Sequence, residues 1–333
     1  MMARKFEKGL RMKAVLCKSW GPPDALVVED IPSPAPGKGQ LLVSVKASGV
    51  NFPDVLLIQN KYQFKPELPF SPGSEIAGVV RQVGEGVHGF MPGDPVMAHI
   101  RWGGYAEEVV VDEALVTPVP AGLDFTVAAS FGLVYATAYH ALKDRAGIKA
   151  GETLLVLGAA GGVGLAAVEL GKLFGARVIA CASSDEKLET CRRFGAEATI
   201  NYEREDLREA LKNLGAVDIA LDPVGGKYSE PAVRAMAWKG RYLVVGFASG
   251  EIPKIPLNLA LLKGCSIVGV FWGEFARRER DLNAANLRDL TAWLRAKKIK
   301  PLVSASYPLE RAADALNDMM NRKVQGKVVL TAG

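Results

Sequence analysis

The sequence predicts a two-domain α/β protein, in which a β-rich domain precedes a doubly wound parallel sheet. The chain has 333 residues, which is more than one ordinary hydrophobic core holds. Residues 12 to about 130 are rich in proline and glycine, whereas residues 134 to 272 alternate strand-like with helix-like patterns. Hydrophobic residues make up 49% of the chain and charged residues 23%, so a sizeable buried core is expected.

The first domain is predicted from short β-like runs separated by turn signals such as PGKG and MPGD. Strands are expected at 13–17, 41–47, 76–83, 96–98 and 105–111. The preceding residues 1–11 are basic and lack the apolar segment of a secretory signal. They are expected to form an extension before the first strand.

The second domain is predicted from regular alternation. Strands are expected at 153–157, 177–182, 198–201, 217–221, 241–245 and 265–270, with helical patterns between most of them. Such alternation indicates right-handed βαβ units and a parallel sheet. The tail predicts helices at 281–297 and 309–322 and a strand at 327–330, which is expected to return to the first domain. The predicted segments are an extension 1–11, a first domain 12–133, a second domain 134–275 and a C-terminal return 276–333.

Composition argues against several classes of function. The net charge of +5 is small, and the basic run at 276–280 is interrupted by Glu279, so no nucleic-acid partner is expected. No uninterrupted run of about 18 apolar residues occurs, so no membrane-spanning helix is expected. The four cysteines are far apart, which favours reduced thiols and a cytoplasmic location. Three of them lie in apolar runs and are expected to be buried, namely Cys17, Cys181 and Cys265.

A glycine-rich turn, GAAGGVG at 158–164, follows one predicted strand and opens a helix. Glycines let a phosphate approach the free N–H groups at a helix start. The spacing departs from strict GxGxxG, but its position within alternating units favours a dinucleotide site. The residues predicted to contact the dinucleotide are Ala160, Gly161, Gly162 and Val163. The alternative is a tight strand–helix turn without a ligand.

The second strand ends without the acidic residue that would bind an adenosine ribose. Ser183 and Ser184 stand there instead, and Lys187 follows one helical turn later. Hydroxyls and an ammonium group suit a 2′-phosphate, so NADPH is predicted over NADH. Alternatively, Ser183 is the N-cap of a capping box with Glu186 at N3, and both interpretations can hold together. Asp185 could turn toward the ribose and favour NADH.

Several phrases resemble the zinc-independent quinone oxidoreductase branch of the medium-chain dehydrogenase/reductase superfamily. They include GVNFPD (49–54), PGSEIAGVV (72–80), GGYAEE (103–108), GAAGGVG (158–164) and RKVQGKVVL (322–330). The resemblance runs from Met12 onward and implies a GroES-like catalytic domain and a Rossmann NADPH-binding domain. Zinc-dependent relatives place Cys at Asn51 and His at Ser74, so no metal is expected here.

The resemblance also implies the catalytic residues. Asn51, Asp54 and Tyr62 would line the site. The Asn51 amide would donate to a carbonyl oxygen, Tyr62 would hydrogen-bond the acceptor or supply a proton, and Asp54 would orient these groups. The alternative for Asp54 is support of the helix start at 53–58, and for Tyr62 it is packing in a Pro-rich loop.

Further cofactor contacts follow from matching positions in the same family. The resemblance places Thr137 near the nicotinamide, Tyr202 and Arg322 around the 2′-phosphate with Lys187, and the loops at Phe247 and at Phe271–Trp272 beside the carboxamide. Alternatively, Thr137 is a helix residue facing a carbonyl, Tyr202 is a strand-end residue, Arg322 is a helix C-terminal cation, and Phe247 and Trp272 only pack in the wall of the cleft. Tyr135 replaces a glycine that relatives often have before Thr137, so local packing is expected to differ.

The resulting functional prediction is a zinc-free NADPH-dependent oxidoreductase that transfers hydride to a quinone. One alternative is reduction of a conjugated C=C bond in an enone, alkenal or enoyl thioester. Another is a weakly catalytic NADPH-binding sensor or structural protein. The expected partners are a small-molecule substrate and a second copy of the chain, paired through the apolar strand at 265–270.

Overall fold

The computed structural model describes residues 6–332, and within them the chain forms two compact units. One unit contains the residues up to Leu133 together with those from Pro301 onward, and the other contains Val134–Lys300. The tail thus changes unit at 300 rather than at the predicted 276. The physical reason is the helix Arg280–Arg295, whose Trp293 ring packs against Tyr139 and Phe174 of the second unit.

The N-terminal elements are mostly strands. They are β1 (Phe6–Leu16), β2 (Val27–Pro34), β3 (Gln40–Gly49), α1 (Phe52–Ile58), β4 (Glu75–Val83), β5 (Pro95–His99), β6 (Glu108–Asp112), β7 (Val116–Pro118) and α2 (Phe125–Tyr139). Residues 1–5 of the predicted extension lie outside the described residues, and residues 6–11 belong to β1. Sequence patterns missed β2, because its acidic and proline residues disguise a strand that pairs antiparallel with β1.

The second unit alternates strands and helices. They are β8 (Thr153–Val156), α3 (Gly162–Leu173), β9 (Arg177–Ala182), α4 (Asp185–Phe194), β10 (Ala198–Asn201), α5 (Leu207–Leu214), β11 (Val217–Asp222), α6 (Ser229–Arg234), β12 (Met236–Val244), α7 (Asn258–Lys263), β13 (Ser266–Gly269), α8 (Trp272–Arg278) and α9 (Arg280–Arg295). The sheet order β10-β9-β8-β11-β12-β13 with parallel pairing is the predicted doubly wound arrangement.

The C-terminal elements complete the first unit. They are β14 (Val303–Pro308), α10 (Ala312–Met320) and β15 (Lys327–Thr331). β15 pairs antiparallel with β3, so the tail strand joins the first sheet, in the order β14-β15-β3-β4-β5-β7. The predicted strands at 13–17 and 105–111 are shifted, since the described strands there are Phe6–Leu16 and Glu108–Asp112.

Burial follows the apolar runs. Cys17 and Cys181 are buried as expected, whereas Cys265 is only partly buried. Among the described residues, one helix, Phe125–Arg145, is long and apolar enough to cross a membrane by length and composition. Within the protein, 72% of its apolar window is buried, and the core helix of a soluble protein passes the same test.

Candidate functional site

A buried polar cluster lies at the start of α1 in the first unit. Asp54 is only 1% exposed, and its Oδ2 accepts hydrogen bonds from the backbone N–H of Asn51 at 2.9 Å and from the Tyr105 hydroxyl at 3.0 Å. The carboxylate therefore supports the helix start, as one interpretation of the sequence proposed. It also faces a fully buried tyrosine that the sequence analysis had not identified as functional.

Burial sets the protonation state of Asp54. Desolvation raises the pKa of its carboxyl to about 6, against the opposing hydrogen bonds from Asn51 and Tyr105 and the charge of Lys327. The charge of Glu75 adds to the rise. Burial, followed by the charge of Asp54, raises the pKa of the Tyr62 hydroxyl. Tyr62 is half-buried and is therefore protonated at neutral pH.

The side chain of Asn51 is held by a buried lysine from β15. The Lys327 ammonium group donates to Asn51 Oδ1, to the Val50 carbonyl at 3.0 Å and to Glu75 Oε2 at 3.3 Å. Asn51, Glu75 and Lys327 are all at most 3% exposed. The Asn51 amide nitrogen has only two long contacts of 3.3 Å, to the Gly49 carbonyl and Glu75 Oε2. The amide oxygen is thus firmly bound, whereas the amide nitrogen is weakly engaged.

The second oxygen of Glu75 completes this arrangement. It accepts a 2.8 Å hydrogen bond from the Leu133 N–H, so both carboxylate oxygens have protein donors. His99 lies opposite Glu75 in the β4–β5 ladder, and burial lowers the pKa of its imidazole. The neighbouring Ser74 hydroxyl is a buried polar atom without a hydrogen-bond partner in the described part of the chain. Asn51, Asp54, Glu75, Tyr105 and Lys327 are together called the buried lysine cluster below.

The glycine turn stands at the end of β8 in the second unit. Gly158 adopts a left-handed φ of +58°, and Gly161 is the N-cap of α3. A Cβ on Gly164 would lie 2.3 Å from the Gly158 carbonyl oxygen, so the helix start approaches the turn too closely for any side chain. Gly161, Gly162 and Val163 are partly exposed and Ala160 is buried. Free N–H groups at a helix start suit a pyrophosphate.

The end of β9 carries the predicted phosphate-binding side chains. The Lys187 ammonium group donates to the Ser183 hydroxyl at 3.2 Å, and Ser184 accepts from the Lys187 N–H at 3.3 Å. Ser184, not Ser183, is therefore the N-cap of α4. The predicted capping box is wrong, because N3 is then Lys187 rather than Glu186. A short polar side chain at either serine fits the sequence pattern, and only the backbone decides between them.

Asp185, which could have favoured NADH by binding the ribose, has hydrogen-bond partners within the protein. Its Oδ1 accepts a 2.6 Å hydrogen bond from the Asn201 amide, and its Oδ2 pairs with the Arg204 guanidinium. Asn201 is buried at the end of β10 and holds the carboxylate in place. Tyr202 follows it, half-buried, with its ring centroid 4.3 Å from that of Tyr228.

The residues expected near the nicotinamide differ in exposure. Thr137 is half-buried on α2, while Tyr135 is buried and donates a 2.7 Å hydrogen bond to Glu169 of α3. The bulky Tyr135 thus fills the interior of the second unit. Phe247 and Phe271 are 37% and 47% exposed and remain available to a ligand.

Two further predicted residues have mainly structural surroundings. Trp272 is buried at the start of α8 and donates to Asn283 at 3.0 Å, which favours the packing interpretation. Arg322 follows α10 in the first unit with a left-handed φ of +57° and an exposed side chain. Arg322 belongs to the first unit, whereas Ser183 and Ser184 belong to the second.

Sequence analysis did not assign a role to Tyr105 or Lys327. The sequence contains one feature for each residue that could have indicated its buried position. Lys327 is a charge immediately before the apolar run VVL, and Tyr105 follows two glycines that let the chain turn inward. A lysine beside a buried strand needs acidic or carbonyl partners, which points to a polar cluster.

A unit with a buried cluster of ionisable side chains, followed by a parallel sheet with a glycine-rich strand–helix turn, is typical of nucleotide-dependent oxidoreductases. The sequence profile described as "Alcohol dehydrogenase GroES-like domain" matches residues 37–121, and that described as "Zinc-binding dehydrogenase" matches residues 162–287. A quinone oxidoreductase-like protein 2 homolog of Nematostella vectensis is 41% identical over 325 residues, covering 96% of this chain and 88% of the relative. The chain belongs to the quinone oxidoreductase family of the medium-chain dehydrogenase/reductase superfamily.

Solved structures are similar over nearly the whole chain. Escherichia coli quinone oxidoreductase complexed with NADPH is 28% identical, with a TM-score of 0.89 and coverage of 97% of this chain and 99% of that one. A mycobacterial protein complexed with NADPH is 31% identical, with a TM-score of 0.90 and coverage of 96% and 100%. A GroES-like domain and a Rossmann-type sheet therefore make up this fold.

Proposed function

We propose that the protein is a metal-free NADPH:quinone oxidoreductase. The observation that carries the proposal is the buried lysine cluster, in which the amide nitrogen of Asn51 is weakly engaged. The charge of Asp54 in this cluster acts on the Tyr62 hydroxyl, which is protonated at neutral pH. A carbonyl oxygen of a quinone can accept a hydrogen bond from the Asn51 nitrogen. The resulting polarisation favours hydride acceptance at the ring without a metal ion.

NADPH is the cofactor, and the residues of the second unit fit it. The start of α3 at Gly162 and Val163 offers helix N-terminal N–H groups to the pyrophosphate, and Ser183 with Lys187 offers donors to a 2′-phosphate. Asp185 is paired with Arg204 and Asn201, so its charge is largely compensated at the site where it would repel that phosphate. When bound, NADPH supplies a hydride to the acceptor.

The chain's own groups manage the proton. Reduction of a quinone to a hydroquinone takes one hydride and one proton. The Tyr62 hydroxyl, whose pKa is raised, can donate that proton at neutral pH and regain one from solvent. Asp54 orients the start of α1 through the Asn51 N–H and holds the Tyr105 hydroxyl.

The residues do not fit the zinc ion that one family description names. Zinc sites use thiolate, imidazole and carboxylate ligands. Here the Asn51 oxygen and one Glu75 oxygen are already occupied by an ammonium group, whose charge would repel a second cation. Within residues 6–332, no group of three His, Cys, Asp or Glu side chains could hold a metal.

We further propose a cytoplasmic homodimer. β13 ends the order of the parallel sheet, and apolar side chains are exposed on it and nearby: Trp238 (73%), Leu261 (80%), Leu262 (73%) and Ile267 (39%). An exposed apolar edge strand needs a covering partner, and a second copy offers the same edge.

The first test is the oxidation of NADPH by the purified protein with a small quinone and, in parallel, with a small enone and a 2-alkenal. An NADH reaction serves as the cofactor control. Quinone turnover that requires NADPH is the expected result. Turnover of the enone with an inert quinone would replace the proposed acceptor by an activated alkene. Tight NADPH binding without turnover of any acceptor would contradict the enzymatic proposal and favour a sensor.

A further inference from the structure

The strongest unassigned feature is the charge arrangement around Lys327. Its ammonium group has three acceptors, one from the segment before α1, one from the Asn51 side chain and one from Glu75. The side chains of Lys327 and Glu75 are only 4% and 2% exposed. A lysine this deeply buried must have its charge balanced and its hydrogen bonds made. Here Glu75 balances the charge, and the predicted catalytic residue Asn51 is one of the three acceptors.

We propose that Lys327 is a positioning residue whose ammonium group serves as the resident cation of the site, fixing the Asn51 amide and the Glu75 carboxylate in the way a metal ion would. The inference rests on the proposed function for its catalytic consequence. It assigns a role to a residue of the C-terminal strand β15.

Lys327 fixes the orientation of the Asn51 amide through its hydrogen bond to Asn51 Oδ1. An amide can rotate by half a turn and exchange its oxygen and nitrogen. With Lys327 present, the rotated form would bring two donors together and lose a charge-assisted hydrogen bond. The ammonium group thus selects the form in which Asn51 Nδ2 remains the donor for a carbonyl oxygen.

Lys327 also sets the charge balance of the cluster. Glu75 is a buried carboxylate close to Asn51 and acts electrostatically on Asp54. Lys327 compensates this charge. The titratable groups around Asp54 are Tyr105, Lys327, Glu75 and Tyr62, and His99 faces Glu75 from β5. Among the charged residues, Lys327 acts more strongly on Asp54 than Glu75 does.

The test compares the variants K327M, E75Q and K327M/E75Q with the wild type. K327M leaves a buried carboxylate uncompensated, so its melting temperature is expected to fall by about 10 °C. The double variant removes both charges and is expected to recover at least half of that loss. Lys323→Met is the matched control, because Lys323 is an exposed lysine of the same segment.

A positioning role predicts that the folded double variant binds NADPH within about 2-fold of the wild type but has a kcat about 10-fold to 100-fold lower, as when an orienting group is lost. The acid limb of kcat/KM is taken to report the ionisation of Asp54, whose pKa is lowered by Lys327 and raised by Glu75. The limb is therefore expected at higher pH in K327M and at lower pH in E75Q than in the wild type. A double variant with wild-type kcat, or single variants with unchanged limbs, would overturn the proposal.

A second measurement separates this proposal from the proposed function. The pH dependence of the unfolding free energy of each variant, compared with its D54N counterpart, reports the pKa of Asp54 without any turnover. If the wild type reduces no acceptor, the function fails. The order of the Asp54 pKa values in E75Q, the wild type and K327M still decides whether Lys327 controls the Asp54 carboxylate.

Discussion

At the scale of residues, we propose that NADPH binding depends on the compensation of one carboxylate, that of Asp185. Asp185 is the first residue of α4, two positions before Lys187. It is 62% exposed, and Arg204 and Asn201 hold it at the end of β10. An exposed ion pair contributes little to stability. The pair of Asp185 and Arg204 is instead expected to act electrostatically on the binding of the 2′-phosphate of NADPH.

Removal of Arg204 is therefore predicted to weaken NADPH binding while leaving the fold intact. R204A is expected to raise the Kd for NADPH about 5-fold at low salt, corresponding to about 1 kcal/mol, and to leave NADH within about 2-fold. Fluorescence titration with both nucleotides measures this. The double variant R204A/D185N is the control and is expected to regain the wild-type ratio. An unchanged ratio in R204A would show that Asp185 does not influence the phosphate.

Asp54 is predicted to make stability depend on pH. Its folded pKa of about 6 lies above its ordinary value near 3.8, so the folded state binds its proton more tightly than the unfolded state does. The contribution is fully present below about pH 4 and is lost as the pH rises through 6. D54N cannot ionise, so its unfolding free energy relative to the wild type is expected to rise by about 2–3 kcal/mol between pH 4 and pH 7.

Urea unfolding of both proteins at these two pH values tests the prediction. The exposed Asp314 offers a matched control, since D314N is expected to show no comparable gain. A difference between D54N and the wild type that stays constant with pH would mean that Asp54 titrates at its ordinary pKa.

At the scale of elements, the glycines of the turn before α3 and of its first residues have two different structural roles. Gly164 provides the close approach of the helix to the Gly158 carbonyl, where a Cβ would lie at 2.3 Å. Gly161 has an ordinary φ of −76°, and a Cβ there would meet only the same carbonyl, at 3.4 Å. Gly164 is required for packing, whereas Gly161 leaves the outer side of the turn open.

Alanine at the two positions is predicted to separate folding from cofactor binding. G164A is expected to lower the unfolding free energy by about 1–3 kcal/mol through overpacking. G161A is expected to change it by less than about 0.5 kcal/mol but to weaken NADPH binding about 10-fold, because the methyl group keeps the pyrophosphate from the backbone. Denaturant unfolding and NADPH titration measure the two effects. Unimpaired binding in G161A would place the phosphate away from this turn.

At the scale of the whole molecule, the distribution of exposed apolar side chains is uneven. Several lie along β13 and the neighbouring α7, where Leu261 is 80% exposed. β13 has a parallel neighbour on one side, β12, and ends the sheet on the other. Burial of this surface against a second copy would remove it from water.

Ile267→Lys is predicted to convert a dimer into a monomer, since it places a charge on the apolar edge of β13. Sedimentation velocity at micromolar concentration measures the change. Leu115→Lys is the control, because Leu115 is 49% exposed in the other unit and its variant is expected to stay dimeric. A wild-type protein that sediments as a monomer would contradict the proposed assembly.

The sequence by itself determined the fold class, the alternating strands and the dinucleotide turn, because hydrophobic periodicity and glycine position are local properties. Short motifs and the family resemblance also predicted roles for Asn51, Asp54 and Ser183, and these roles stay predictions. The sequence placed the start of the C-terminal return at 276, whereas the structure places it after Lys300. The apolar pattern of α9 shows that the helix is partly buried but not which of the two units it packs in. The N-cap of α4 was shifted by one residue, since two adjacent serines are equivalent in a pattern.

Only the tertiary structure decided which distant residues meet. Lys327 and Asn51 are separated by 276 positions, and their contact arises because β15 pairs with β3. The engagement of Asp185 by Arg204 likewise depends on β10 lying beside β9. The burial that raises the pKa of Asp54 exists only in the folded chain. Such charges act over a few ångströms in a desolvated interior, which local sequence pattern does not encode.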